Sequence, residues 1–305
     1  MLTVFFIAMS PIIDSFYDYL HKEKKYSQLT CNAYFKDVVD FELYYRLTFD
    51  SDNFIKTSYG EIRSWIVVLV DSGLSNASVN RKLASLKAFY KFSMRCKLID
   101  VSPFLKHKVL KTAKKIQIPF SEKELDAVLS VEIGVDDFEV IRNKLILDFL
   151  YTTGIRRAEL ISLKWNDVNC SLGVVKVLGK RNKERLVPIL PVVIAQVKKY
   201  EVLRRELSEV KNDEYFFLSR KGLKLSESFV YRLINSYFST ASEKVKTSPH
   251  VLRHTFATHL LNNGADLNSV KELLGHASLA STQIYTHSSL LQLKKVYKEA
   301  HPRNK

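Results

Sequence analysis

Six of the eight histidines in this 305-residue chain, at 250, 254, 259, 276, 287 and 301, fall in the last 56 residues. His250 and His254 stand four apart, a spacing that could hold a metal on one helix face. However, Arg253 lies between them, no His-Glu-x-x-His run is present, and no carboxylate or cysteine cluster completes a ligand set. No metal and no cofactor are therefore expected. A phosphate site accounts for more of the pattern. In the run from Ser248 to Leu261, Pro249 suits the first turn of a helix, and Leu252, Phe256 and Leu260 form its apolar stripe. His250 and Arg253 then lie three apart near the positive end of that helix, where anions bind. Cleaving a phosphodiester without metal needs cations on the non-bridging oxygens, a nucleophile, and an acid for the leaving oxygen. Arginine suits the first task because its planar fork meets phosphate with two hydrogen bonds.

The elements that must carry these residues are mostly helical. In the first hundred residues the spacing predicts four helices and no strand. One begins at Ser10-Pro11 with Ile12, Phe16 and Leu20 on one face; a second runs through Tyr34, Val38 and Phe41. Ser58-x-x-Glu61 is a capping box ahead of Ile62, Trp65, Ile66 and Leu69, with Gly73 as the stop. The fourth helix buries Val79, Leu83, Leu86 and Tyr90. Residues 103–120, with Pro103, Pro119 and five lysines, read as an extended basic linker. A second capping box, Ser121-x-x-Glu124, opens the next domain, where a helix through Leu145 and Phe149 ends at Gly154. Residues 173–179 and 185–190 read as two strands around the charged turn 180–184, and Pro188 puts the second at a sheet edge. A further short strand is expected at Tyr215-Phe-Phe-Leu218. The class is mainly α with a small antiparallel β-sheet; length suggests two domains, and the linker sets them at 10–102 and 121–305.

The net charge of +15 is unevenly spread. Residues 81–120 carry 11 basic side chains against one acidic, whereas residues 1–80 carry 7 against 10. Lys87, Lys91 and Arg95 repeat every four residues with Arg81 angularly close, so they stack as one row on the fourth helix. Like charges in a row repel, and the row makes sense beside a polyanion. Lys111, Lys114 and Lys115 in the linker extend it, which points to nucleic acid. Three scattered cysteines, Cys31, Cys96 and Cys170, offer neither a disulfide framework nor a zinc motif, which favours a reducing, cytoplasmic compartment. The apolar run at 1–10 lacks a basic leading region and is too short to span a membrane. It reads as a frayed leader or as an upstream start ahead of Met9. No membrane insertion is expected.

Gly154-Ile-Arg-Arg-Ala-Glu-Leu160, Gly179-Lys180, His250-x-x-Arg253-His254, Leu274-Gly-His276 and Tyr285-Thr-His287 resemble, in order and spacing, the signature of the tyrosine recombinase (phage integrase) family. The layout is similar to its compact bacterial Xer members and covers almost the whole chain. The resemblance implies an N-terminal four-helix SAM-like core-binding domain that binds DNA and a C-terminal α+β catalytic domain. It implies that Arg156 and Arg253 clamp the scissile phosphate and Lys180 protonates the leaving 5′ oxygen. His250 would serve acid–base transfer, and His276 would support the phosphate. Tyr285, nine residues after His276, would attack to give a 3′-phosphotyrosine, with no ATP or metal.

Some residues keep two readings. Arg157 competes with Arg156, and the Gly-Ile-Arg match favours Arg156. Lys180 sits among Lys176, Arg181, Lys183 and Arg185, with Arg181 and Lys183 read as DNA contacts. Glu159 reads as a buried partner of an arginine, His254 and His259 as packing or supporting groups, and His287 as structural. Leu290, Leu293 and Val296/Tyr297 lie on one face of a final helix. That helix either caps its own domain or, as the resemblance implies, is donated to a neighbouring subunit of a tetramer on DNA. The implied function is site-specific recombination through a Holliday junction, resolving chromosome dimers at a dif-like site. A paralogous recombinase and a cell-division DNA translocase are the implied partners, with the protein nucleoid-associated. The alternatives are a mobile-element integrase, a type IB topoisomerase, or a DNA-binding protein without catalysis; the intact residue set argues against the last.

Overall fold

The computed structural model describes residues 10–113, 117–130, 137–179, 183–239, 248–275 and 287–304. The chain divides into two units, Met1–Lys115 and Ile116–Lys305.

The first unit is helical throughout its described elements. It runs α1 (Pro11–Asp18), a π-helical turn (Tyr19–Glu23), α2 (Gln28–Phe49), a 3-10 turn (Phe54–Lys56), α3 (Tyr59–Asp71) and α4 (Asn76–Arg95). Pro11 starts α1, and Ser27, Ser58 and Ser75 cap the next three helices through their hydroxyls. The capping box at Ser58 closes in both directions, with Glu61 accepting from the Ser58 amide. Gly73 has φ +83°, as a helix stop requires. The expected inner face of α4, Val79, Leu83, Leu86 and Tyr90, is buried against Phe16, Val38, Phe41 and Trp65.

The segment expected to leave this unit as a linker from residue 103 begins inside it. Phe104 is buried in the same core. The Asn80 carboxamide donates to the Leu110 carbonyl at 2.9 Å and accepts from its amide at 3.0 Å, as a paired strand would. Asn76 donates to the Lys111 carbonyl at 2.8 Å. A lysine-rich composition concealed one aromatic anchor and two amide clamps.

The second unit runs α5 (Glu122–Leu129), α6 (Phe138–Thr153), α7 (Arg157–Ser162), a 3-10 turn (Trp165–Asp167), β1 (Val168–Asn169), β2 (Val174–Leu178) and β3 (Glu184–Pro188). Then come α8 (Pro191–Arg205), α9 (Glu227–Phe238), α10 (Pro249–Asn262), α11 (Leu267–Leu274) and α12 (His287–Ala300). The strands form one antiparallel sheet in the order β1-β2-β3, with Val175 opposite Val187 and Pro188 on the edge strand. The strand expected at 215–218 is not formed; Tyr215 and Leu218 make only isolated bridges, to Lys164 and Lys224. Phe216 and Phe217 are core residues instead, which explains the apolar run that suggested a strand.

Helix α6 is buried on nearly all sides and forms the axis of this unit. Helix α12 packs on its own unit through Leu293, Tyr297 and Ala300. The Tyr297 hydroxyl donates to the Thr152 carbonyl at 2.8 Å, and Arg303 pairs with the buried Asp148 at 3.1 Å. Among the described residues no helix is long and apolar enough to cross a membrane.

Candidate active site

The site is built where α6 ends. Gly154 adopts φ +60°, and a β-carbon there would stand 2.3 Å from the Phe256 ring of α10. Only glycine both turns the chain and lets α6 and α10 approach this closely. Two residues later Arg156 takes the cap position of α7. Its amide donates to Glu159 Oε2 at 2.8 Å, and its guanidinium donates to Oε1 at 2.8 Å.

Arg253 reaches the same place from α10. It donates to the Gly154 carbonyl at 2.5 Å and to the Leu274 carbonyl at 2.6 Å. Those carbonyls cap the ends of α6 and α11, so one cation sits at two negative helix ends. Burial, the charge of Arg156 and that of Arg185, opposed by Glu159, push its pKa down to about 10. It remains a cation at neutral pH, crowded by like charges that an incoming anion would relieve.

Arg185, placed by its sequence neighbourhood among the exposed turn cations, is buried. Its fork donates to Glu159 Oε1 at 3.1 Å and Oε2 at 2.8 Å, and its Nε donates to the Leu273 carbonyl at 2.9 Å. Glu159 is thus the expected buried partner, shared by two arginines. Burial alone would raise its pKa, but the hydrogen bonds and charge of Arg185, then those of Arg156, hold it below the usual carboxylate range. Three guanidiniums around one carboxylate leave an excess of positive charge, the electrostatics of an anion site. A signal for Arg185 lay in the strand alternation. Residues 185 and 187 share a face, Val187 is buried, and the cross-strand partner of Arg185 is the buried Val177.

Beside this cluster lies a recess of about 330 Å³ lined by Arg156, Ala158, Glu159, Ser162, Leu178 and Gly179. A larger hollow of about 660 Å³ at Lys164, Trp165 and Arg204 is lined by ions already paired with one another. Lys164 meets Glu214 and Arg204 meets Asp213, each at 2.9 Å, so no cation there is left over for a phosphate.

His250, in the first turn of α10, is exposed, and Arg253 follows one turn later. Arg157 pairs with Glu227 rather than with Glu159. Of the packing and supporting roles expected for His254, the structure does not give the first, because His254 is exposed, off the stripe of Leu252, Phe256 and Leu260. His259 is buried between the Tyr151 hydroxyl and the Phe120 carbonyl, each at 2.9 Å. A carbonyl only accepts, so Nε2 carries the proton, and Nδ1 accepts from Tyr151. Lys180, Arg181, His276 and Tyr285 lie outside the described residues, as do Lys114, Lys115 and the His287 side chain. The flanks of the turn are described: Gly179 donates to the Lys183 carbonyl at 2.7 Å, and Lys183 is exposed.

In the first unit Lys87, Lys91 and Lys111 are exposed. Arg95 lies over the Tyr19 ring, 5.2 Å from its centroid, and reaches Glu23 at 3.9 Å. Arg81 does not stand free in that row. Both its terminal nitrogens bond the buried Asp37, at 2.6 and 3.0 Å, beside Lys82 and Ser85. Its charge answers a carboxylate of α2.

Comparison with known proteins gives the family. Residues 135–291 match the phage integrase family, and residues 13–97 match its N-terminal SAM-like domain. The tyrosine recombinase XerC of Bacillus pumilus is 37% identical over 296 residues, 96% of each chain. The tyrosine recombinase XerD of Oceanobacillus iheyensis is 33% identical over 293 residues, 95% of this chain and 98% of its own. Among solved structures, the XerH recombinase bound to a palindromic difH substrate is similar with a TM-score of 0.70 and 25% identity. It covers 94% of this chain and 84% of its own. The chain belongs to the phage integrase family of site-specific tyrosine recombinases, DNA strand transferases that act by transesterification.

Proposed function

We propose that this recombinase cuts and rejoins double-stranded DNA with Arg156, Lys180, His250, Arg253, His276 and Tyr285 as its catalytic residues. The observation that carries this reading is the convergence at the end of α6 of Arg156, held by Glu159 of α7, and Arg253 of α10, held by the Gly154 carbonyl. Two guanidiniums so held match the non-bridging oxygens of one phosphate. Tyr285 attacks the phosphorus and the 5′ oxygen leaves with a proton from Lys180. The 3′-phosphotyrosine then keeps the energy of the broken bond for religation. His250 handles the tyrosine proton, and His276 supports the phosphate.

Four copies on two duplexes exchange strands through a Holliday junction. Lys87, Lys91, Arg95, Lys111, Lys114, Lys115, Arg181 and Lys183 hold the DNA backbone; Arg81 contributes once a phosphate competes with Asp37. The relatives named XerC and XerD, and the difH complex of XerH, support chromosome-dimer resolution at a dif-like site.

The test is a nicked suicide duplex carrying the target site. The full chain traps a covalent adduct in EDTA, and Tyr285→Phe abolishes the adduct while binding persists. An adduct formed by Tyr285→Phe refutes the nucleophile; loss of the wild-type adduct in EDTA refutes the metal-independent chemistry.

A further inference from the structure

Arg185 has no assigned role in the reaction, and at 5% exposure it cannot itself grip a phosphate backbone. Yet it touches Glu159, the end of α11 and two glycines beside the site. Its fork takes both oxygens of Glu159, the same two that receive the Arg156 amide and one Arg156 nitrogen. Its Nε takes the Leu273 carbonyl in the last turn of α11. The two glycines that directly precede Lys180 and His276 both abut it. A β-carbon on Gly275, at φ +65°, would stand 2.9 Å from Arg185 Cδ, and one on Gly179 would stand 3.5 Å from its guanidinium.

We propose that Arg185 is a positioning residue for strand cleavage. It holds the Glu159 carboxylate so that Arg156 keeps most of its guanidinium for the phosphate. The inference rests on the assignment of Arg156 to the scissile phosphate. Its physics is competition for one carboxylate. Released from Arg185, Glu159 is free to turn both oxygens onto Arg156 as a bidentate pair, which engages the donors meant for DNA. The bond from Arg185 Nε to the Leu273 carbonyl anchors the fork in place on β3 while it holds Glu159.

The experiment follows adduct formation on the nicked duplex in single turnover, with the full chain and a double-mutant cycle. Arg185→Met is expected to slow cleavage roughly 10–100-fold, while affinity for the intact duplex stays within about threefold, since Arg185 meets no DNA. In an Arg156→Ala background the same change should cost less than about threefold, because the residue it acts through is gone. An equal cost in both backgrounds assigns Arg185 to the fold alone and overturns the proposal, as does full-rate cleavage by Arg185→Met. Should Arg185→Met fail to fold, Arg185→Lys keeps the charge without the fork. Roughly tenfold slower cleavage by folded Arg185→Lys supports the proposal, and wild-type cleavage refutes it. If Arg156→Ala alone cleaves normally, the underlying assignment fails. If Arg156→Ala is slow and Arg185→Met is not, only the role of Arg185 falls.

Discussion

On α4 of the first unit, Lys87 and Lys91 stand exposed with no ion pair among the described residues, whereas Arg156, Arg185 and Arg253 of the second unit are each held by Glu159 or by helix-end carbonyls. Both regions are cationic, but the charge is used differently. A solvated lysine row attracts a polyanion and tolerates a shifting phosphate position. A clamped guanidinium loses that tolerance and gains a fixed direction, which transition-state stabilisation needs. Arg81 shows the boundary between the two uses. It sits on the lysine helix, yet Asp37 takes both its terminal nitrogens, as Glu159 takes those of Arg185.

The comparison breaks most visibly if a held arginine proves replaceable. Arg253→Ala is expected to slow single-turnover cleavage roughly 10²–10³-fold, with duplex affinity little changed; a loss of affinity alone would place Arg253 with the lysines. Next comes Glu159→Gln, which leaves the buried Arg185 without its counter-charge. Equilibrium denaturation should show a loss of about 3 kcal/mol.

The same substitution should flatten the acid limb of the stability curve. Glu159 is held below the ordinary carboxylate value of 4.5, so the unfolded chain binds its proton more readily than the folded one. Its stabilisation is complete above that value and is lost as pH falls through the lowered folded value. Glu61, also lowered once the Ser58, Thr57 and Tyr45 donors outweigh its burial, keeps a smaller acid dependence in the variant.

In the first unit, Asp37→Asn should cost about 1–2 kcal/mol of stability and leave saturated cleavage unchanged. It also releases Arg81, which should steepen the salt dependence of DNA binding by about one unit of slope. The smallest effect belongs to the lysine row. Replacing Lys87 and Lys91 together by alanine should reduce the salt slope by roughly 1.8 and weaken all duplexes alike, without changing the cleavage rate of bound DNA.

Much of the frame was legible along the chain because it is local. Ser58-x-x-Glu61, Ser121-x-x-Glu124, Pro249, Gly73 and Gly154 act within a turn or two of themselves, and each sits where its chemistry requires. The failures share a cause in long-range pairing. Arg185 looked like one cation of a charged turn because its partner is 26 residues away. Arg81 looked like a free cation of the lysine row because Asp37 is 44 residues away. The 103–111 segment looked unstructured because Phe104 and the Asn80 clamp find their partners across the unit. His254, read as a packing or supporting group, lies in solvent one step round the helix from the apolar stripe.

Residue order alone settled the helical class, the small sheet, the caps and the set of boxes that mark the family, since period, turn chemistry and motif spacing are written in neighbouring residues. Which cations are spent inside the protein and which remain for a phosphate was settled by folding. A charge has no fixed role until its counter-charge and its dielectric surroundings are known, and both come from residues distant in the chain. Arg156, Arg185 and Arg253 became one site only when α7, β3 and α10 met around Glu159 and the ends of α6 and α11.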